Sequence, residues 1–217
     1  MIEILENIKK ELEELDSIKL EEITKGKTDK TAIIVVDMVK GFYNVGALAS
    51  PRVEAVIEPI INLVKANDKL NKVFFVDSHT ESSEELKCYP AHCIENTEEE
   101  ELIEEINELT KGDKNIAIIK KNSINGFHAP DFKKWFEQNS EIENFIVTGV
   151  CTNICVETFV MSLITYFNQF NLNKKIIVPM NTVETYDFGN HNAELMNMMS
   201  FFKMKSNGVI LVKEILK

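Results

Sequence analysis

The chain has 217 residues, 44% hydrophobic and 27% charged, with eight Gly and five Pro, a length and composition that fit one packed domain and exclude disordered, collagen-like and low-complexity polypeptides. Its formal charge of −11 repels phosphate backbones and anionic membrane surfaces, so nucleic acid is set aside as a partner. The longest apolar runs, such as 32–36, fall far short of the roughly 18 residues of a membrane span, and the acidic start is unlike a signal peptide.

A soluble, cytoplasmic protein is therefore expected, and its four cysteines, at 88, 93, 151 and 155, lack the paired spacing of a structural zinc site and read as reduced thiols. Residues 1–25, MIEILENIKKELEELDSIKLEEITK, place apolar side chains at three- and four-residue intervals among acids and lysines. That period predicts an amphipathic helical extension ahead of a main domain over 26–217. Runs at 31–38, 72–77, 115–120, 144–149, 175–180 and 208–212 read as strands, and 53–67, 98–109, 131–139, 153–170 and 193–203 as helices between them. Strands such as AIIVV and FIVTGV are apolar on both faces, which implies a parallel sheet covered on each side. The predicted class is α/β, a three-layer αβα, doubly wound fold on six parallel strands. From Glu81 to Glu108 there are eleven glutamates and one lysine, a local net of −10 that reads mainly as a solvated helix face.

Ligands of open α/β sheets bind beyond the carboxyl ends of the strands. Those positions hold Asp37, then Asp77 and His79, then Lys121, then Cys151 and Cys155. Cys155 falls in the first turn of the following helix, where free N–H groups favour a thiolate; it is either a nucleophile or a buried small hydrophobe. Cys151 is a competitor, a redox partner or a packing residue. Asp37, ending the apolar run VVDM, is either a proton shuttle or a cap for backbone N–H groups. Lys121 either steadies an anion or is a solvated lysine. Asp77, His79, Glu85 and His92 have the ligand chemistry of Zn²⁺, Fe²⁺ or Mn²⁺, although surface histidines would give the same pattern. Phe42 and Tyr89 are aromatic faces close by in sequence.

The stretches IIVVDMVKGF, FFVDSHT, EELKCYPAHCIENT, KKNSINGF and VTGVCTNICVET, in this order over 33–158, resemble the isochorismatase-like cysteine hydrolases, and most of all their nicotinamidase (pyrazinamidase) branch. The resemblance implies strand order 3-2-1-4-5-6, Cys155 as nucleophile, Asp37 as its acid/base partner and Lys121 as the assisting cation. It also implies a cis bond between Val150 and Cys151, and an oxyanion hole from the backbone N–H groups of Cys151 and Cys155. One divalent metal, with zinc the first expectation and Fe or Mn the alternatives, would be held by Asp77, His79, Glu85 and His92, with Phe42 and Tyr89 sandwiching the substrate ring. The implied reaction is hydrolysis of nicotinamide to nicotinate and ammonia through a thioester, a step of NAD salvage. Alternatives are another small amide or carbamoyl substrate, or a non-catalytic binding or thiol-redox protein. The N-terminal helix and the acidic belt leave a homo-oligomer open. The chain departs from the family pattern at Val39, where Gln is common, and at Asn153, where Asp is common.

Overall fold

The computed structural model describes residues 2–217. The predicted single helix over 1–25, whose Met1 lies outside the described residues, is instead a helix α1 (Ile2–Glu13), a short strand β1 (Ile18–Lys19) and a one-turn helix α2 (Leu20–Thr24). The helical period runs through the break, but tertiary pairing overrides it. The Ile18 N–H donates to the Glu214 carbonyl at 3.0 Å and the Lys213 N–H to that of Asp16 at 2.9 Å, which draws β1 alongside the C-terminal residues Ile215 and Leu216.

The main sheet begins with β2 (Thr31–Val36), which is buried along its whole length. Ala32, Ile34 and Val36 face one core, Ile33 and Val35 the other, as the two-residue side-chain period requires of a strand covered on both faces. The other long strands are β3 (Asn71–Asp77), β4 (Ile116–Lys121), β5 (Asn144–Val150) and β6 (Lys175–Pro179). After β7 (Val183–Glu184) come β8 (Ile210–Val212) and β9 (Ile215–Leu216), the partner of β1. The sheet order is β4-β3-β2-β5-β6-β8, all parallel, which is the predicted 3-2-1-4-5-6. The strand count differs by one, because β7 pairs with Gly149 and Val150 at the end of β5 and makes the sheet seven-stranded.

One face is covered by α6 (Pro130–Gln138), α7 (Glu157–Gln169) and α8 (Ala193–Ser206), through Phe132, Phe159, Leu163 and Met204. The other is covered by the one-turn α3 (Lys40–Tyr43), α4 (Glu54–Val64) and α5 (Glu104–Leu109), through Phe42, Val56, Ile60, Leu63 and Ile106. The predicted helix over 98–109 starts late. Glu98–Glu100 form one 3₁₀ turn, and the next residues are pulled into a bridge, with the Lys40 N–H donating to Glu101 at 2.8 Å and the Ile103 N–H to Met38 at 3.0 Å. The acidic belt is mainly solvent-facing, with one buried exception. Glu100 is buried, accepts from Ser78 Oγ at 2.5 Å and from the Asn96 N–H at 2.7 Å, and pairs with Lys120 at 2.9 Å.

Candidate active site

Three strand ends deliver the first group of side chains. Asp37 leaves β2 in the left-handed region, φ 51°, with its N–H donating to the Phe75 carbonyl at 3.1 Å. Lys121 is the last residue of β4. Cys155 sits in a π-helical turn, Thr152–Val156, that joins β5 to α7 just after the cis Val150–Cys151 bond. Lys121 Nζ lies 2.9 Å from Asp37 Oδ2, 2.6 Å from Asp77 Oδ1 and 3.9 Å from Cys155 Sγ. All of these side chains are buried, and Lys121 is the ion-pair partner of both Asp37 and Asp77.

Burial raises the Asp37 carboxyl to about 7, against the pull of Lys121. Burial alone would lower Lys121, but the Asp37 and Asp77 carboxylates hold it well above its ordinary range, so it is an ammonium ion. The expectation that a helix N-terminus favours a Cys155 thiolate needs correction. Desolvation pushes the thiol well above its ordinary value despite Lys121, because the side chain is almost wholly buried. Burial likewise pushes Cys151 up to about 12. Both resting thiols are protonated, and all four cysteines are free.

Asp77, His79 and His92 form a second, buried cluster whose ligand atoms lie within 4.8 Å of one another. His79 Nδ1 faces the Asn122 amide oxygen at 3.0 Å and His92 Nδ1 faces the Pro90 carbonyl at 2.7 Å, so each ring carries its proton on Nδ1. The two Nε2 lone pairs then converge on Asp77 Oδ2, at 3.0 and 3.2 Å. Acceptors facing an acceptor call for a cation between them, and Nδ1 bonds to outer carbonyls are how metal-binding imidazoles are oriented. Burial would lower His79, yet Asp77 raises it, the same demand for positive charge met by a proton. Burial would raise Asp77, but Lys121 and the two histidines hold it well below the carboxylate range. Glu85 is not one of the converging three. Its Oε2 accepts from the Ile124 N–H at 2.9 Å, while its Oε1 is buried without a hydrogen bond, 3.7 Å from His79 Nε2. The donor set of one carboxylate and two imidazoles, with a free carboxylate oxygen beside it, fits a divalent ion.

Cys155 of the first group and Asp77 and His92 of the second line one cleft of about 420 Å³, mouth included, with Phe42, Glu85, Tyr89 and Cys151, whereas Asp37, Lys121 and His79 are buried and do not line it. Phe42 and Tyr89 flank His92, with ring centroids 5.8 and 6.0 Å away. The structure adds four lining residues that sequence reading missed: Leu48, Ile124, Ile154 and Tyr186. Ile124 and Ile154 lie inside the stretches KKNSINGF and VTGVCTNICVET, where adjacency to a reactive residue was the available signal. Leu48 and Tyr186 had none, since only the fold brings 44–53 and 183–191 to the cleft.

The isochorismatase domain family matches residues 31–207. Nicotinamidase 1 of Arabidopsis thaliana is 28% identical over 220 residues, covering 87% of this chain and 88% of that protein. Among solved structures, the nicotinamidase of Bacillus subtilis superposes with a TM-score of 0.70 at 26% identity, over 84% of this chain and 99% of its own. The pyrazinamidase of Pyrococcus horikoshii, solved in complex with zinc, has the same fold, with a TM-score of 0.69 at 21% identity over 85% and 99% of the two chains. With the match extending from β2 through α8, the chain belongs to the isochorismatase-domain family of hydrolases.

Proposed function

We propose that the protein is a metal-assisted nicotinamidase, which hydrolyses nicotinamide to nicotinate and ammonia with Asp37, Lys121 and Cys155 as its reacting groups. The observation that carries this reading is the shared cleft: Cys155, which a buried Lys121 links to Asp37, lines it together with Asp77 and His92 of the Asp77–His79–His92 cluster. The nicotinamidase relatives support the choice of substrate.

In this mechanism Asp37, ionised, takes the Cys155 proton as the sulfur attacks the carboxamide carbon. The resting thiol holds its proton tightly, so transfer and attack proceed together, with the Lys121 ammonium offsetting the developing charge. Backbone N–H groups of Cys151 and Cys155 receive the oxyanion, each such donor contributing about 3 to 4 kcal/mol in comparable acyl transfers. Asp37 returns the proton to the departing ammonia. A thioester remains, and Asp37 activates the water that hydrolyses it. Asp77, His79 and His92, with Glu85 beside them, would hold the ion, which supplies a Lewis-acid anchor for the pyridine nitrogen when bound. Phe42 and Tyr89 enclose the ring.

Ammonia release from nicotinamide, assayed with chelated and with zinc-supplemented protein, tests the reading. Turnover that rises with zinc supports it. Release of ammonia only from other small amides would replace nicotinamide as the substrate, and undiminished turnover in chelated protein would remove the metal from the scheme.

A further inference from the structure

A connected chain of side chains reaches the cleft from the segment 184–191, outside the groups assigned above. Tyr186 lines the cleft with Phe42, Tyr89 and Cys155. One face of its ring lies flat on His191, centroids 4.1 Å apart and planes 7° from parallel, and the side chain is half-buried against the core while part of it lines the cleft. His191 Nδ1 faces the Tyr186 carbonyl oxygen at 2.8 Å. A carbonyl only accepts, so Nδ1 carries a proton, and in that tautomer Nε2 is left to accept. Asn153 meets Nε2 with its amide nitrogen at 3.0 Å, which turns its amide oxygen toward the Thr185 hydroxyl, the donor at 2.7 Å. Only this orientation of the amide satisfies all three bonds with a neutral imidazole. The reversed amide would set an oxygen against Nε2 and require an imidazolium ion.

The frame around this chain is also fixed. Phe188 and His191 exchange backbone hydrogen bonds of 3.0 and 2.8 Å. Arg52, the only arginine in the sequence, reaches Glu184 at 2.9 Å, Glu194 at 2.7 Å and Asp187 at 3.4 Å. It thereby ties the segment 184–191 to the one that carries Leu48. Asn153 stands midway between Cys151 and Cys155, so the chain that orients Tyr186 is anchored in the nucleophile's own turn.

We infer that Tyr186 is a substrate-contacting residue, a third aromatic wall for a flat heteroaromatic amide, and that His191, Asn153 and Thr185 are positioning residues that hold its ring. The inference rests on the nicotinamidase reading and adds to it residues from the C-terminal third of the chain. An offset or edge-on contact between two aromatic rings is favourable by an amount that corresponds to about threefold to tenfold in affinity.

Steady-state kinetics on nicotinamide with the zinc-loaded wild type, Tyr186→Ala, Tyr186→Leu, His191→Ala and the Tyr186→Ala/His191→Ala double variant provide the test. Tyr186→Ala is expected to raise KM about threefold to tenfold while kcat changes less. Tyr186→Leu, which keeps apolar bulk without a flat face, raises KM as well. His191→Ala raises KM by a smaller factor and adds nothing on top of Tyr186→Ala, because a positioning residue acts only through the ring it positions. An unmoved KM in both Tyr186 variants overturns the inference and leaves the nicotinamidase reading intact. Additive effects of the two substitutions overturn the positioning role of His191. A wild type that releases no ammonia from nicotinamide overturns the functional reading itself, before any variant is made.

Discussion

Asp37 combines complete burial, a left-handed backbone and an ion pair with a fully buried lysine, a costly state for an acid that served packing alone. Its carboxyl, raised to about 7 by burial, is mostly protonated below that pH and ionised above it. Because the proposed base is the ionised form, kcat/KM for nicotinamide should fall on the acid side of neutrality, and a pH–rate profile checks this. A profile flat through neutrality would separate that titration from catalysis. Cys155→Ala should abolish ammonia release, a loss of about four orders of magnitude or more, while thermal melting stays close to wild type because one sulfur at a cleft wall supports little packing. Retained turnover in Cys155→Ala, with loss in Cys151→Ala, would move the nucleophile to Cys151. The sequence placed Asp37, Lys121 and Cys155 because each ends or follows an apolar strand, and strand ends of a parallel sheet share one edge. Tyr186 carries no such mark. It follows a two-residue strand too short to show a period, and it faces the cleft only because β7 adds to the end of β5.

Gly149 decides whether the β5 turn can form at all. Its φ is 111°, and a Cβ there would stand 2.0 Å from the Val36 carbonyl oxygen, on the strand that delivers Asp37. Neither backbone can yield without shifting a segment of the proposed site, so Gly149→Ala should cost more than about 3 kcal/mol, read from urea unfolding, and should depress turnover as well. The acidic stretch over 81–108 is mainly solvated, as its composition implies, and the exceptions lie at its centre: Glu100 bonds Ser78 and Lys120 behind the site, and Glu99 accepts from the Cys93 N–H at 2.9 Å. These carboxylates fasten the loop that carries His92 to the strand ends. Charge density alone does not distinguish a glutamate in water from one that accepts from a neighbouring loop.

Two cores, one on each side of the sheet, hold the assembly together, and the first 25 residues enter both: Leu12 joins one, Leu20 and Ile23 the other. Each such buried side chain contributes about 1.5 to 3 kcal/mol, and β1 also pairs with the C-terminal strand. Deleting residues 1–25 should therefore lower the melting temperature markedly; an unchanged melt would mean that this segment rests on the surface without stabilising it. Metal should act on the whole fold too. An ion that binds only the native cluster of Asp77, His79 and His92 stabilises in proportion to the logarithm of its concentration over its dissociation constant. Zinc-loaded protein is then expected to melt higher than chelated protein, and equal melting temperatures would contradict the cluster as a metal site.

From sequence alone came the α/β class, the strand order through family resemblance, and ten candidate site residues, because strand runs, turns and ligand spacings are local patterns. Tertiary structure decided the rest. It split the leading helix, since pairing with the C-terminal strand outweighs helical period, and it raised the Cys155 thiol, since enclosure outweighs the helix terminus. It also gathered Leu48, Tyr186, His191 and Arg52 around the cleft. Those four come from segments whose local composition says nothing of their neighbours, and only chain packing sets which distant side chains meet.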